Sequence, residues 1–388
     1  MNNVYMIEYQ GRCDEKGKAV GHAPKVLNEY YNFIKEYSRV TVLAPSTILK
    51  EFTGEVYVPK VTLLKHIEMK GKTPFLEKIT NKFNMFINAS KAVKEASKDD
   101  NAVLWFFNVE YYIMLWFVFI SRLSSNKNRR KFKKIVLTMF IDGYHASESA
   151  SVKAKIKNYF KQWIFEQAQK KFDLIIATGE KFKYKNCESV FIPDYYYINE
   201  IYDKYNHALA SDDNISFRKK DEAVCLGTMG RGKQLKEMVE AFSKIGYKLT
   251  VAGRFYDKEL VKELKEKAAD NITIKDDYLS LDEYLKLLSE AKYTVLPYSP
   301  ESYSFQTSGV MQEAMFLHTI PVTYSAILEG NCMKGIGFSA WDNLTKEILD
   351  TNNDDLIKYY NEKINGSYSK EYAIKHYENI FNINPEVN

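Results

Sequence analysis

The sequence predicts an α/β protein built from two Rossmann-like halves, and three observations carry that prediction. The chain has 388 residues, long for one hydrophobic core and suited to two domains of roughly 200 residues each. Short apolar runs alternate with segments of helical apolar spacing along most of its length, the pattern of parallel sheets with crossover helices. Glycine loops follow two of the predicted strands, at the edge where parallel sheets bind ligands. Hydrophobic residues make up 45% of the chain and aromatic ones 14%, which excludes a disordered class.

In the amino half, VYMIEY (4–9) reads as the first strand, GRCDEKGKAVGH (11–22) as a glycine-punctuated loop, APKVLNEYYNFIKEY (23–37) as a helix and VTVLAP (40–45) as a second strand. Further strands are predicted at VYVP (56–59), AVLWFF (102–107), IVLTMF (135–140), LIIAT (174–178) and SVFIP (189–193), with helices over 75–97, 111–122 and 151–171. A polar stretch at 206–222 without periodicity reads as a linker or first loop. A new alternation then begins at AVCLGTM (223–229). Helices are predicted over 233–245, 257–268, 281–291 and 309–317, between strands KLTVAG, ITIKD, YTVLP and IPVTY, and the last stretch from 354 reads as a helix pair. This places one Rossmann-like domain over 1–200, a second over 201–370, and a closing helix over 371–388 that is expected to pack back on the first domain.

The most apolar run, residues 102–123, is interrupted by Asn108 and Glu110 and is better read as a buried strand followed by a core helix than as a membrane span of about 20 uncharged residues. Cys13, Cys187, Cys225 and Cys332 are scattered, with no CxxC pair, which suggests reduced thiols in a cytoplasmic protein and no zinc site. The start MNNVYMIEYQG lacks the basic and apolar regions of a signal peptide.

Residues 1–200 carry 32 Lys and Arg against 21 Asp and Glu, whereas the remainder carries 23 against 29. A basic amino half suits an anionic membrane surface or a phosphorylated acceptor. No zinc-finger spacing, RNP-type motif or helix-turn-helix points to nucleic acid. The predicted helix over 73–98 sets Phe75, Leu76, Ile79, Phe83, Phe86 and Ile87 beside Lys78, Lys82, Lys91 and Lys94; its apolar face is expected to pack on the core, with its lysine edge touching a membrane on the inner face of the cell.

Two stretches carry candidate chemistry in the carboxyl half. LGTMGRGKQL (226–235) places glycines where backbone can approach a ligand, with Arg231 and Lys233 as fixed positive charge for a diphosphate; it matches neither a P-loop nor G-x-G-x-x-G. SFQTSGVMQEAMF (304–316) is a polar loop feeding a helix amino end, an anion-binding arrangement in which Ser308 and Gly309 would offer backbone N–H groups and Glu313 could accept from ribose hydroxyls. In the amino half, TMFIDGYHASES (138–149) gathers Asp142, His145 and Glu148 near a strand end, where a carboxylate or imidazole can act as general base. Gly21 and His22 close the first glycine loop and are candidate contacts to donor or acceptor.

Taken in order, the span from CLGTMGRGKQL through YKLTVAGRF, AKYTVLP and QEAMFLHTIPVTYS resembles the nucleotide-binding domain of GT-B glycosyltransferases, particularly the family 4 (group 1) type; FDLIIATGEKF and VFIPDYY agree more loosely with its first domain. The resemblance implies an α/β GT-B fold of two Rossmann-like domains facing each other across a cleft. It implies transfer of a sugar, with retention, from a nucleotide diphosphate donor (UDP-sugar is the commonest) to a glycan or lipid-linked acceptor in cell-surface polysaccharide or glycoconjugate synthesis. No cofactor or metal is expected. The donor contacts it implies are Gly21, Gly227, Thr228, Gln306, Thr307, Ser308, Gly309 and Glu313, with Arg231 and Lys233 stabilising the leaving diphosphate and Asp142 and His145 facing the transferred sugar. Three departures stand out. Phe305 lies eight places before Glu313, where the family has a second glutamate, and Glu301 is four positions out of register; Thr228 stands where the family often has arginine; His318 stands in a usual glycine position. A GT-B-shaped nucleotide-sugar-binding protein or inactive partner subunit, and a sugar-nucleotide epimerase of related fold, are the alternatives.

Overall fold

The computed structural model describes residues 3–13, 23–50, 52, 67–68, 75–107, 109–120, 131–145, 151–194, 202–205, 219–230, 232–255 and 257–381. The chain divides into two compact units: Met1–Thr178 with Phe182–Ile198 and Lys370–Asn388, and Gly179–Lys181 with Asn199–Ser369.

The strands of the first unit are β1 (Asn3–Ile7), β2 (Arg12–Cys13), β3 (Arg39–Leu43), β4 (Ile67–Glu68), β5 (Ala102–Phe107), β6 (Lys134–Met139), β7 (Leu174–Ala177) and β8 (Ser189–Phe191). Six of them form one sheet in the order β3-β1-β5-β6-β7-β8, parallel at every pairing. Every residue of β5 is buried, as a strand covered on both faces requires, and that explains its unbroken apolar sequence. Within it the Trp105 indole N–H donates to Thr138 Oγ1 at 2.9 Å, so its one polar atom is satisfied. The apolar run at 102–123 therefore holds a central strand and a short helix, Tyr111–Leu115. The single predicted helix over 111–122 needs correction, because the chain widens to a π-turn at Trp116–Ile120. Among the described residues no helix is long and apolar enough to cross a membrane. The predicted strand VYVP lies outside the described residues. The helix Lys370–Phe381 belongs to this unit: Tyr377 packs on Tyr30, Phe33 and Trp105, and Lys134 Nζ donates to the Ile380 carbonyl at 2.8 Å.

The second unit contains β9 (Lys220–Leu226), β10 (Leu249–Gly253), β11 (Ile272–Asp276), β12 (Ala291–Val295), β13 (Ile320–Tyr324) and β14 (Ile336–Phe338). They form a parallel sheet in the order β11-β10-β9-β12-β13-β14. The strand order reverses at β9, which pairs with β10 on one side and β12 on the other; ligands of open α/β sheets bind beyond the strand ends at such a switch point. Polar residues fix the helix ends: Asp257 accepts from the N–H groups of Glu259 and Leu260, Ser280 and Glu283 form a reciprocal capping box, and Gly246, at φ 68°, ends the helix Leu235–Ile245.

Lys219 is buried, and its ammonium donates to the carbonyls of Ser289 and Leu317 and to Thr319 Oγ1 at 2.8–2.9 Å. This places a cation at the carboxyl ends of the helices Leu281–Glu290 and Gly309–Phe316, where helix dipoles favour it. Burial pushes its pKa well below the usual lysine value. His318 adopts φ 57°, a left-handed conformation that accounts for the glycine usual at this position; its Nε2 is 2.6 Å from Asn361 Oδ1.

Candidate functional site

The carboxyl end of β9 turns at Gly227, whose φ of 104° favours glycine, and its N–H donates to the Ala252 carbonyl at 3.1 Å. Neighbouring Gly253, at φ 146°, lies so close that a Cβ there would come within 1.8 Å of the Gly227 carbonyl oxygen. The ends of β9 and β10 thus meet backbone to backbone. Above Gly227 the space is open, since a Cβ on it would meet nothing within 4 Å. Thr228 is exposed on this open side. Arg231 lies outside the described residues.

Lys233 follows at the start of the next helix, half-buried, with its ammonium 5.5 Å from the centre of the Tyr298 ring. Among the described residues no carboxylate pairs with it. Desolvation lowers its pKa below the ordinary lysine value, because the charged form lacks water and has no anion to replace it. The nearby Cys225 thiol is buried and pushed up to about 11 by desolvation.

Tyr298 links this cation to the second predicted element. Its ring stacks on Tyr303 with centroids 3.9 Å apart and planes within 8°, and its hydroxyl hydrogen-bonds Ser308. Ser308 caps the helix Gly309–Phe316, its Oγ accepting from the Met311 N–H at 3.2 Å. The expectation that Ser308 offers its own N–H to a diphosphate is corrected: that N–H donates to Asn331 Oδ1 at 2.9 Å. The Asn331 amide also donates to the carbonyls of Ile327 and Gln306, so one buried side chain holds the loop in place. Beside it Gly330 lets the turn approach, since a Cβ would lie 2.2 Å from the Ser304 carbonyl oxygen. Thr307 is buried, Gln306 half-buried and Phe305 38% exposed, so Phe305 could be exchanged for a polar group without opening the core.

Glu313 sits in this helix with its side chain buried. The sequence leaves its carboxylate open to a ribose, whereas the structure engages both oxygens: Oε1 accepts from the Tyr202 hydroxyl and Oε2 from the Tyr284 hydroxyl, the latter at 2.6 Å.

In the first unit Asp142 and His145 come together, Oδ1 to Nε2 at 2.8 Å. Both are partly exposed. Burial raises the Asp142 pKa above the usual carboxylate value and His145 draws it the other way. The loop is fixed by Gln162, which accepts from the Tyr144 N–H at 2.8 Å, and by Asn158, which donates to the His145 carbonyl at 2.9 Å. Gly21, His22 and Glu148 lie outside the described residues. The first glycine loop is described as far as Gly11, at φ 58°, where a Cβ would strike Pro45; the Glu8 carboxylate accepts from the N–H groups of Gln10 at 2.7 Å and Gly11 at 3.4 Å.

Reasoning from sequence missed Tyr298, Tyr202, Tyr284 and Asn331. Tyr298 was within reach, one residue beyond the predicted strand YTVLP; the other three act across 23–111 positions, with no local signal.

No family model matches the chain, and no curated protein matches it in sequence. Solved structures do match it over nearly its full length. Anabaena HepE, solved with UDP and glucose, aligns with a TM-score of 0.58 at 11% identity, covering 99% of this chain and 100% of that one. The UDP-forming α,α-trehalose-phosphate synthase of Burkholderia xenovorans, solved with glucose-6-phosphate, aligns at 0.61 and 8% identity over 98% and 100%. The N-terminal domain of Candida albicans trehalose-6-phosphate phosphatase aligns at 0.64 and 10% identity over 98% and 96%. The fold is therefore GT-B, α/β with two Rossmann-like domains, and its two six-stranded parallel sheets are those domains.

Proposed function

We propose that this chain is a glycosyltransferase that moves a sugar from a UDP-sugar to a glycan or lipid-linked acceptor in cell-surface polysaccharide or glycoconjugate synthesis. The observation that carries the reading is Lys233: a half-buried ammonium with a depressed pKa and no carboxylate partner among the described residues, at the carboxyl edge of the switch-point strand. A diphosphate supplies the missing charge there. As the donor bond breaks, negative charge builds on the leaving UDP, and a preplaced cation stabilises that charge without a metal. Thr307 and Gly309, at the amino end of the helix Gly309–Phe316, and Gln306 just before them would take further phosphate oxygens. Open backbone at Gly227 and Thr228 leaves room for the nucleotide, with Glu313 beside the loop as the proposed ribose contact. The Asp142–His145 pair contacts the transferred sugar or the acceptor hydroxyl. Retention follows the resembling family. Calorimetry against UDP, GDP, ADP and CMP tests the reading: UDP is expected to bind best, and no binding by any of the four would overturn it.

One observation favours a second reading. Glu313 is held by two tyrosine hydroxyls, and Phe305 replaces the acid that the family sets against the donor sugar. A nucleotide-sugar-binding protein without transfer would have these features. Turnover separates the two: if hydrolysis and transfer stay absent across a donor and acceptor panel while Phe305→Glu restores either, the binding-protein reading wins.

A further inference from the structure

The helix Val152–Gln169 turns two apolar faces in different directions. Its later turns bury Ile164, Phe165 and Ala168 in the first unit's core. Its earlier turns leave Val152, Ile156, Tyr159, Phe160 and Trp163 between 42% and 78% exposed, at a spacing that sets them on one stripe. Phe160 and Trp163 stack with centroids 5.8 Å apart, so the stripe is an ordered surface.

A second stripe belongs to the helix Phe75–Ala96. The expectation that its large apolar side chains pack on the core is corrected: Phe75, Leu76, Ile79, Phe83 and Ile87 are 36–76% exposed, and the helix instead buries Met85, Ala89, Ala92 and Val93 with Asn84 and Asn88. The two helices that carry these stripes flank the short helix Tyr111–Leu115. Lys82 places its ammonium 3.8 Å over the Tyr112 ring, Lys161 lies 5.8 Å from the Tyr111 ring, and the two tyrosine rings are 5.5 Å apart. Phe119, 62% exposed, extends the surface in the following π-turn. Exposed apolar side chains grouped in this way mark something that covers them.

Charge decides what covers it. The helix Val152–Gln169 carries Lys153, Lys155, Lys157 and Lys161 before its first acid, Glu166. A second copy docked by the same face would bring these lysines against their like, whereas anionic headgroups complement them. We propose that the two stripes dock this protein on an anionic lipid bilayer, with the aromatic and aliphatic side chains entering the acyl boundary and the lysines at the headgroups. The inference concerns a surface separate from Lys233 and holds whether or not the protein transfers sugar.

Sedimentation of the full chain with vesicles of phosphatidylcholine and phosphatidylglycerol at 7:3, and with pure phosphatidylcholine, is the test. Binding is expected to the anionic vesicles, at least about tenfold weaker to neutral ones and weaker in 0.5 M salt. Ile156→Asp with Phe160→Asp, both on exposed positions, is expected to abolish it while UDP affinity stays at the wild-type value. Lys153→Glu with Lys157→Glu, which leaves the apolar stripe intact, is expected to weaken it by at least about tenfold. No vesicle binding by wild type, equal binding to neutral and anionic vesicles, or a wild-type dimer that Phe160→Asp dissociates would each overturn the proposal.

Discussion

The two glycine turns beyond the switch-point strands make an instructive pair. Both β1 and β9 stand where their sheets reverse order, and each leads to a glycine at positive φ, Gly11 at 58° and Gly227 at 104°. Around Gly11 the backbone N–H groups are taken by the buried Glu8 carboxylate, and Pro45 packs where a ligand would approach. Around Gly227 the space is open, and the same loop leads to the Lys233 ammonium. The same backbone device is thus closed by an acid in one unit and left open beside a cation in the other. The sign of the charge at the turn, more than the glycine itself, distinguishes the unit proposed to receive a diphosphate.

The largest expected effect comes from breaking the open turn. Gly253→Ala puts a Cβ against the Gly227 carbonyl and forces φ 146° on an L side chain, so it should destabilise the second unit by about 3 kcal/mol or more and remove UDP binding, read by thermal unfolding and calorimetry. Next comes Lys233→Ala. Loss of one charge-assisted contact of roughly 1.5 to 3 kcal/mol predicts about a tenfold to hundredfold weaker UDP affinity, and a larger fall in transfer rate because the charge matters most as UDP leaves. Glu313→Gln should leave the unfolding temperature close to wild type while lowering UDP affinity about tenfold; unchanged affinity would mean that Glu313 serves only to hold Tyr202 and Tyr284.

A pH titration sharpens the contrast at smaller amplitude. The Lys233 cation is the binding form and its pKa is depressed, so UDP affinity should decline as pH rises through a range below the ordinary lysine value of 10.5. In the Lys233→Arg protein that decline should vanish. The smallest effect is expected at the closed turn: Glu8→Gln should leave UDP affinity unchanged within about twofold, since removing the acid there supplies no cation.

Much of this organisation was legible in the sequence because it rests on local periodicity. The strands around Val4, Val103, Ile135 and Ile175, and every strand predicted from Val224 to Val322, fall where alternation of apolar runs and turn residues places them. The loop that carries Lys233 was legible as well, since a glycine turn at a strand end is a local pattern. What the sequence hid is long-range. Glu313 reads as an available acceptor until Tyr202, 111 positions away, and Tyr284 are seen to reach it. Ser308 reads as an N–H donor until Asn331 takes that hydrogen. The outward face of the helix Phe75–Ala96 was hidden for a different reason: its small residues Ala89 and Ala92, with Phe86 beside them, pack on the core while Phe75 and Phe83 do not, and a hydrophobic count ranks them the other way.

Hydrogen exchange with and without UDP locates the nucleotide. Slowed exchange is expected in the turn 226–230 and around Lys233, together with the loop and helix start at 304–313, and no change over 8–13. Protection centred on Gly11, or none in either turn at saturating UDP, would contradict the proposed site.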